Sequence, residues 1–123
     1  MNLPRLTQED SRLIVELRIA PAARVVLTEF VVDLDDAGKP LALEILFLQH
    51  HAGPRVLDGL SEVIQGSGLE YSFDPENDAF YLVMEKGLSA NQRAVEGRIV
   101  LNAAGEVVRL EAPLRRLPGS DHN

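Results

Sequence analysis

The sequence contains no cysteine, and only 2 of its 12 basic residues are lysine. Without cysteine the chain forms no disulfide bond, no thiolate metal site and no cysteine nucleophile. It needs no such crosslink, because a domain of 123 residues buries roughly two-thirds of the surface of its unfolded chain. The absence of cysteine also fits a protein from a reducing compartment.

Long apolar runs are missing as well. The N-terminal segment Met1–Arg5 has no apolar stretch after a basic start, so it does not resemble a signal peptide. The longest apolar stretches have the length of a strand and are interrupted by charged residues. We therefore expect a cytoplasmic protein that crosses no membrane.

Basic charge is scarce, and the acidic excess is spread along the chain. The formal net charge is −7, with 8 acidic and 5 basic residues in 1–50 and 8 acidic and 4 basic residues in 70–114. Such a surface repels a phosphate backbone, and Arg115 with Arg116 is too small a group for a basic patch. The composition thus argues against a nucleic-acid partner.

What the sequence does contain is an internal repeat. Residues 3–46 align without a gap on residues 70–113 at an offset of 67, with 8 identical positions in 44. The apolar residues of the two copies follow the same pattern. The identical pairs are Glu9/Glu76, Ala23/Ala90, Glu29/Glu96, Leu34/Leu101, Ala37/Ala104, Gly38/Gly105, Leu43/Leu110 and Glu44/Glu111.

Apolar residues alternate within each copy, as expected for half-buried strands. The pattern predicts a strand near 13–19 or 79–86, followed by a long hairpin near 25–47 or 92–112. With Ala37-Gly38 at the tip, three apolar pairs face each other across the first hairpin, and glycine allows the positive φ of the tip. These pairs are Leu34–Leu41, Val32–Leu43 and Phe30–Ile45; the same register places Arg98 opposite Glu111 in the second copy.

One helix is predicted between the copies. Pro54 suits its first turn, an apolar stripe runs from Val56 to Ile64, and Gly66 is placed to end it. We therefore expect an α+β fold, in which two repeated antiparallel β-meanders are joined by one α-helix around a pseudo-two-fold axis. The expected boundaries are 1–50 for repeat 1, 51–69 for the linker helix, 70–114 for repeat 2 and 115–123 for a disordered tail, all in one compact domain.

The second copy resembles the YuzE-like family of small bacterial domains of unknown function. The resemblance rests on 71–82, where Asp74, Glu76, Asp78, Ala79 and Tyr81 match the family pattern, and on the strand–turn–strand segment 99–111. The first copy keeps the second half of this pattern and lacks the first half. The resemblance implies a fold and not an activity. It also implies that a fused pair replaces a dimer of single copies.

Several acidic and histidine residues are candidates for chemistry. Asp74, Glu76 and Asp78 offer oxygen ligands for a divalent cation, but an Asp-Pro turn capped by its own side chains is favoured. The loop 33–38 is favoured as a solvated hairpin tip over a calcium loop, because the terminal glutamate is missing. His50-His51 is expected to be an exposed linker. We therefore predict no metal, no cofactor and no catalytic constellation.

Glu44 and Glu111 attract attention because both copies keep a glutamate at this strand position. One hypothesis is that they face each other across a cleft between the repeats and share a proton. The alternative, which we favour, is a charge on the outer face that pairs with Arg98 in the second copy. Tyr81, on the face opposite Phe80, is expected near the seam between the copies.

The strands are partly apolar on both faces, so one face covers the helix and the other needs a partner. The favoured function is a non-enzymatic protein-binding or regulatory, antitoxin-like module, which engages a basic protein partner or associates with itself. The alternative is a small enzyme or ligand-binding protein that uses Glu44 and Glu111 in a cleft between the repeats.

Overall fold

A computed structural model describes residues 3–9 and 11–114 of the chain. Within these residues the chain forms one eight-stranded antiparallel sheet, curled into a half-barrel, and two helices. The elements are β1 (Arg5–Glu9), β2 (Arg12–Glu16), β3 (Arg24–Leu34), β4 (Pro40–Ile45), α1 (Leu48–Ala52), α2 (Pro54–Gln65), β5 (Glu70–Asp74), β6 (Ala79–Val83), β7 (Asn91–Leu101) and β8 (Val107–Pro113).

The strand order is β1-β2-β8-β7-β3-β4-β6-β5. The centre of the sheet is the long pair β3–β7, in which eleven residues of each strand are matched and Glu29 lies directly opposite Glu96. An offset of 67 converts the register of β3–β4 into that of β7–β8, and the register of β2–β8 into that of β4–β6. The pairing and register of the six inner strands are therefore the same whether the sheet is followed from β2 or from β6.

This order differs from the two predicted meanders. β2 does not lie beside β3; it pairs with β8, and β4 correspondingly pairs with β6. Apolar alternation determines which side chains face the core, but it does not determine which strand is the neighbour. The two halves of the chain therefore share one sheet and interleave in it.

The register within the long hairpins is mostly as predicted. Phe30 faces Ile45 and Val32 faces Leu43, but an irregularity after Asp33 places Leu34 opposite Pro40 instead of Leu41. The tip is an Asx turn, because Oδ1 of Asp35 accepts hydrogen bonds from the N–H groups of Ala37 (2.9 Å) and Lys39 (2.8 Å). Gly38, at φ 84°, takes the left-handed conformation that the tip requires.

The core lies between the inner face of the sheet and the two helices. The apolar stripe of α2 is buried at Val56, Leu60 and Ile64, as the spacing predicts. It packs with the alternating strand residues Leu13, Val15, Phe30, Val32, Leu43, Ile45, Phe80, Leu82, Ile99, Leu101, Leu110 and Ala112. Burying each of these larger side chains contributes about 1.5–3 kcal/mol.

Two helices are present where one was predicted. The additional helix, α1, contains His50-His51, which the sequence predicts as an exposed linker; both side chains are exposed, but the segment is helical. Its start is stabilised from a distance, because the Asp78 carboxylate accepts the N–H groups of Gln49 (3.0 Å) and His50 (2.9 Å). The capping residue is 28 or more positions away along the chain, so a search for local capping residues does not find it.

β1 lies at one edge of the sheet and pairs with β2. The predicted disordered tail, 115–123, lies outside the described residues. Neither described helix has the length and apolarity that crossing a membrane requires.

Candidate functional site

The outer face of the sheet, opposite the core, carries an exposed patch at its centre. This central patch consists of Val25, Leu27 and Glu29 on β3 with Ala94 and Glu96 on β7, and all five side chains are exposed. Val25 and Leu27 are 41% and 49% exposed. Both helices bury their apolar residues in the core on the other side of the sheet, and they leave this patch uncovered.

Two like charges meet in the central patch. Glu29 and Glu96 are direct cross-strand neighbours, and such residues have Cβ atoms about 5 Å apart. Among the residues that the structure describes, neither glutamate forms an ion pair. Like charges in this arrangement are destabilising. A cation brought by another molecule would relieve the repulsion.

Towards the β5 edge of the sheet, the outer face contains a polar network around one buried carboxylate. Asp33 is only 8% exposed. Its Oδ2 accepts a hydrogen bond from the Tyr81 hydroxyl (2.9 Å), and its Oδ1 accepts one from Nε2 of Gln92 (2.8 Å). Burial, and then the hydrogen bond to Asp33, raises the pKa of Tyr81 above its ordinary value. Tyr81 therefore stays a hydrogen-bond donor to the carboxylate at neutral pH.

A cleft of about 260 Å³ opens over this network. One wall is the outer face of the sheet, and the other is the connection between β6 and β7. The sheet wall consists of Asp33, Leu41, Ala42, Tyr81 and Val83, and the connection contributes Glu85, Lys86, Gly87 and Ser89.

The charges around the cleft do not balance. Both lysines of the chain lie here, and both have an acidic partner: Lys39 pairs with Glu85 (2.7 Å) and Lys86 with Glu70 (3.6 Å). Asp33 and Glu44 have no cationic partner among residues 3–9 and 11–114. Glu44 belongs to this group because it lies opposite Tyr81 in the β4–β6 pair. Two carboxylates are thus left uncompensated on one side of the sheet.

Glu111 has the opposite surroundings. It is 6% exposed, and its carboxylate lies 2.6 Å from Nε of Arg109, 3.7 Å from Nη1 of Arg12 and 4.0 Å from Nε of Arg98. The predicted pairing with Arg98 is therefore present. Glu111 is nevertheless no exposed outer-face charge, because the arginines and the neighbouring strands enclose it.

The structure does not bring Glu44 and Glu111 together. β7 and β3 lie between β8 and β4, so the two strands are three strand spacings apart, roughly 14 Å. A shared proton requires two carboxyl groups in direct contact. The hypothesis of a glutamate pair in a cleft between the repeats therefore fails within one chain, since interleaved strands separate residues that the repeat makes equivalent.

Asp74 and Asp78 have structural partners instead of an open site. Asp74 accepts hydrogen bonds from the Asn77 side chain (2.7 Å) and the Glu76 N–H (3.0 Å), and the bond from Asn77 lowers the pKa of Asp74. Asp78 caps α1. In the described part of the chain, no three histidine or acidic side chains converge on a metal position.

The chain matches no protein-family model, no curated protein and no solved structure.

Comparison of positions offset by 67 shows what the sequence analysis missed. The hydrogen-bonded trio Asp33, Tyr81 and Gln92 corresponds to apolar residues, which are Val100, Ile14 and Val25. Conversely, the three arginines around Glu111 correspond to Ala42, Val31 and Ala79. A charged residue on a strand position where the other copy has valine is a signal that the sequence contains. We had assigned Asp33 to the hairpin tip.

Proposed function

We propose that this chain is a non-enzymatic protein-binding module of the cytoplasm, with a regulatory, antitoxin-like role, and that it presents its outer face to a basic partner. The observation that supports this proposal is the central patch. It combines two exposed apolar side chains with two opposed glutamates; the described residues do not cover it and form no ion pair with either glutamate.

The chemistry of the patch selects the kind of partner. Val25 and Leu27 supply apolar surface that a partner can bury, and Glu29 and Glu96 favour a cation beside it. A protein surface with arginine or lysine around an apolar centre is complementary to both features. The net charge of −7 steers such a partner towards the chain, so the association should weaken as salt rises.

Affinity capture at low salt, followed by measurement with the purified partner, tests this function. Replacing Val25 and Leu27 together by aspartate should raise the Kd at least about tenfold, because both side chains would lose their burial. Ile19→Asp is the control, since Ile19 is 74% exposed and lies outside the patch. Capture of no stoichiometric partner, or an equal loss of affinity in the control, would count against the proposal.

We further propose that the chain is a tandem duplication of a YuzE-like unit. The matching registers of the six inner strands support this. So does the position of Glu29 and Glu96, which are equivalent by the offset and meet at the centre of the sheet. In a protein of single copies, the β3–β7 pair would be the interface of a two-fold dimer.

The competing enzyme hypothesis loses its motivation, because Glu44 and Glu111 lie apart. Its ligand-binding component has a better location in the cleft over Asp33.

A further inference from the structure

We propose that the cleft over Asp33 receives the side chain of an arginine. The source of that arginine rests on the function proposed above, namely a basic protein partner. The observations that support the arginine site do not involve the central patch. Separate measurements can therefore confirm or refute the arginine site.

Charge is the first argument. Lys39 and Lys86 are already paired with Glu85 and Glu70, which leaves Asp33 in the cleft, and Glu44 next to the cleft on β4, without a cation among the described residues. Asp33 pairs with Ala42 in the sheet, two residues before Glu44, so Asp33 and Glu44 are diagonal neighbours, which lie about 7–8 Å apart in such a pair of strands. A guanidinium is planar and has five N–H donors. It is also more weakly hydrated than an ammonium, which suits it to two acceptors in a partly buried site.

Space is the second argument. The cleft holds about 260 Å³, below the roughly 300 Å³ at which pockets for drug-sized ligands begin. It therefore fits a single side chain better than a cofactor. Leu41, Ala42 and Val83 line it with apolar surface, against which the methylene stem of an arginine can pack.

The equivalent place in the other half of the sheet already contains an arginine. There the counterpart of Ala42 is Arg109, whose Nε lies 2.6 Å from Glu111, the counterpart of Glu44. In the half with the cleft, the small Ala42 leaves this space open and Glu44 has no such partner. One half thus makes within the chain the carboxylate–arginine contact that we assign to an incoming residue in the other half.

Folding does not explain the network over which the cleft opens. Val100, Ile14 and Val25 at the equivalent positions show that the sheet can be built with apolar residues there. Only Asp33 of the three is buried, and replacing a hydrogen-bonded pair by apolar groups of the same shape can be nearly neutral or stabilising. Asp33, Tyr81 and Gln92 are therefore better explained by a ligand that requires an oriented carboxylate.

The test uses N-acetyl-arginine amide as the probe and N-acetyl-citrulline amide, its neutral isostere, as the comparison. Amide NMR spectra of the full chain at low salt should show saturable shifts at Ala42, Gly87 and Ser89 with the arginine probe only. The Kd should be on the order of 1–10 mM, because a fragment of this size has few atoms to contribute.

Three variants decide the outcome. Asp33→Asn should raise the Kd at least about tenfold by removing one carboxylate charge. Ala42→Arg should abolish probe binding by filling the cleft from within, as Arg109 does in the other half. Asp58→Asn removes a charge from the exposed side of α2 and should leave the Kd within about twofold. If Ala42→Arg does not fold, Asp33→Asn against Asp58→Asn still decides.

Absence of saturable shifts up to about 100 mM, an equal response to citrulline, or the same Kd in Asp33→Asn as in Asp58→Asn would each overturn the arginine site. These results are separable from those for the central patch. If the Val25/Leu27 variant loses the partner while the probe never binds, the binding module stands and the cleft proposal falls. If the probe binds as expected and no partner is captured, the cleft stands as an arginine site and the module proposal falls.

Discussion

Replacing Gly97 with alanine should destabilise the fold, because the ring of Phe30 occupies the space that a side chain would need. A Cβ placed on Gly97 would come closer than 3.0 Å to three ring atoms of Phe30, nearer than real Cβ atoms approach such atoms. Phe30 is completely buried, so the ring cannot move aside without displacing its neighbours in the core. Gly97 lies in the central pair β3–β7, where a backbone shift would disturb the longest ladder of the sheet.

Overpacking of this kind costs about 1–3 kcal/mol, and the severity of the overlap places Gly97→Ala at the upper end. For a chain of 123 residues this corresponds to a fall in Tm of roughly 8–15 °C. Thermal unfolding followed by circular dichroism measures it. Gly59→Ala is the matched control, because its Cβ would meet only Nη2 of Arg18 at 3.8 Å. In the middle of α2 it should stabilise by about 0.5–1 kcal/mol.

The double variant Phe30→Leu with Gly97→Ala tests the cause. The smaller leucine makes room for the new methyl group, so the double variant should lose less stability than the sum of the two single changes. Strict additivity would show that the alanine acts through something other than the ring. A Tm of Gly97→Ala within about 2 °C of wild type would refute the packing argument altogether.

Three further predictions concern the outer face and α1. Glu111→Gln should lower the free energy of unfolding by about 1–3 kcal/mol, which is less than for a fully buried ion pair because the arginines around Glu111 are partly exposed. The control, Glu76→Gln at an exposed position, should change the free energy of unfolding by under about 0.5 kcal/mol. Equal effects of the two variants in denaturant titrations would contradict this prediction. Because the pKa of Tyr81 is raised, its stabilising hydrogen bond is fully present below about pH 10 and is lost as pH rises through the folded-state pKa. The difference in stability between wild type and Tyr81→Phe should therefore be constant up to about pH 10 and shrink above it. A difference that stays constant into the alkaline range would argue against the raised pKa. Asp78→Ala should cost about 1 kcal/mol and speed hydrogen exchange of the first-turn amides of α1, and unchanged exchange there would show that the cap does not hold this helix.

Local patterns were sufficient for the features that depend on neighbouring residues. The alternation that places Phe30 opposite Ile45 can be read directly, since a slip by one residue would expose the apolar side chains. The stripe of α2 from Val56 to Ile64 was equally clear. In both cases the residues that form an element also determine which way it faces.

The features that sequence reasoning missed depend on distant residues. β2 pairs with β8 instead of β3, and nothing in the alternation of either strand distinguishes the two neighbours. The start of α1 is capped by Asp78 from the β5–β6 turn. The polar network at the cleft joins Asp33, Tyr81 and Gln92, which come from three different strands. Such contacts appear only when the sheet is assembled.

The two halves of the sheet differ in charge more than in shape, and this difference bears on function. Lys39–Glu85 and Arg18–Glu106 occupy positions related by the offset of 67, with acid and base exchanged. At these two equivalent positions the fold therefore tolerates an ion pair in which either residue is the acid and the other is the base. Four carboxylates of the outer face form no ion pair at all within the described residues: Asp33 and Glu44 near the cleft, and Glu29 and Glu96 in the central patch. Because all four lie on this one face, the cationic partner that we propose would account for them together.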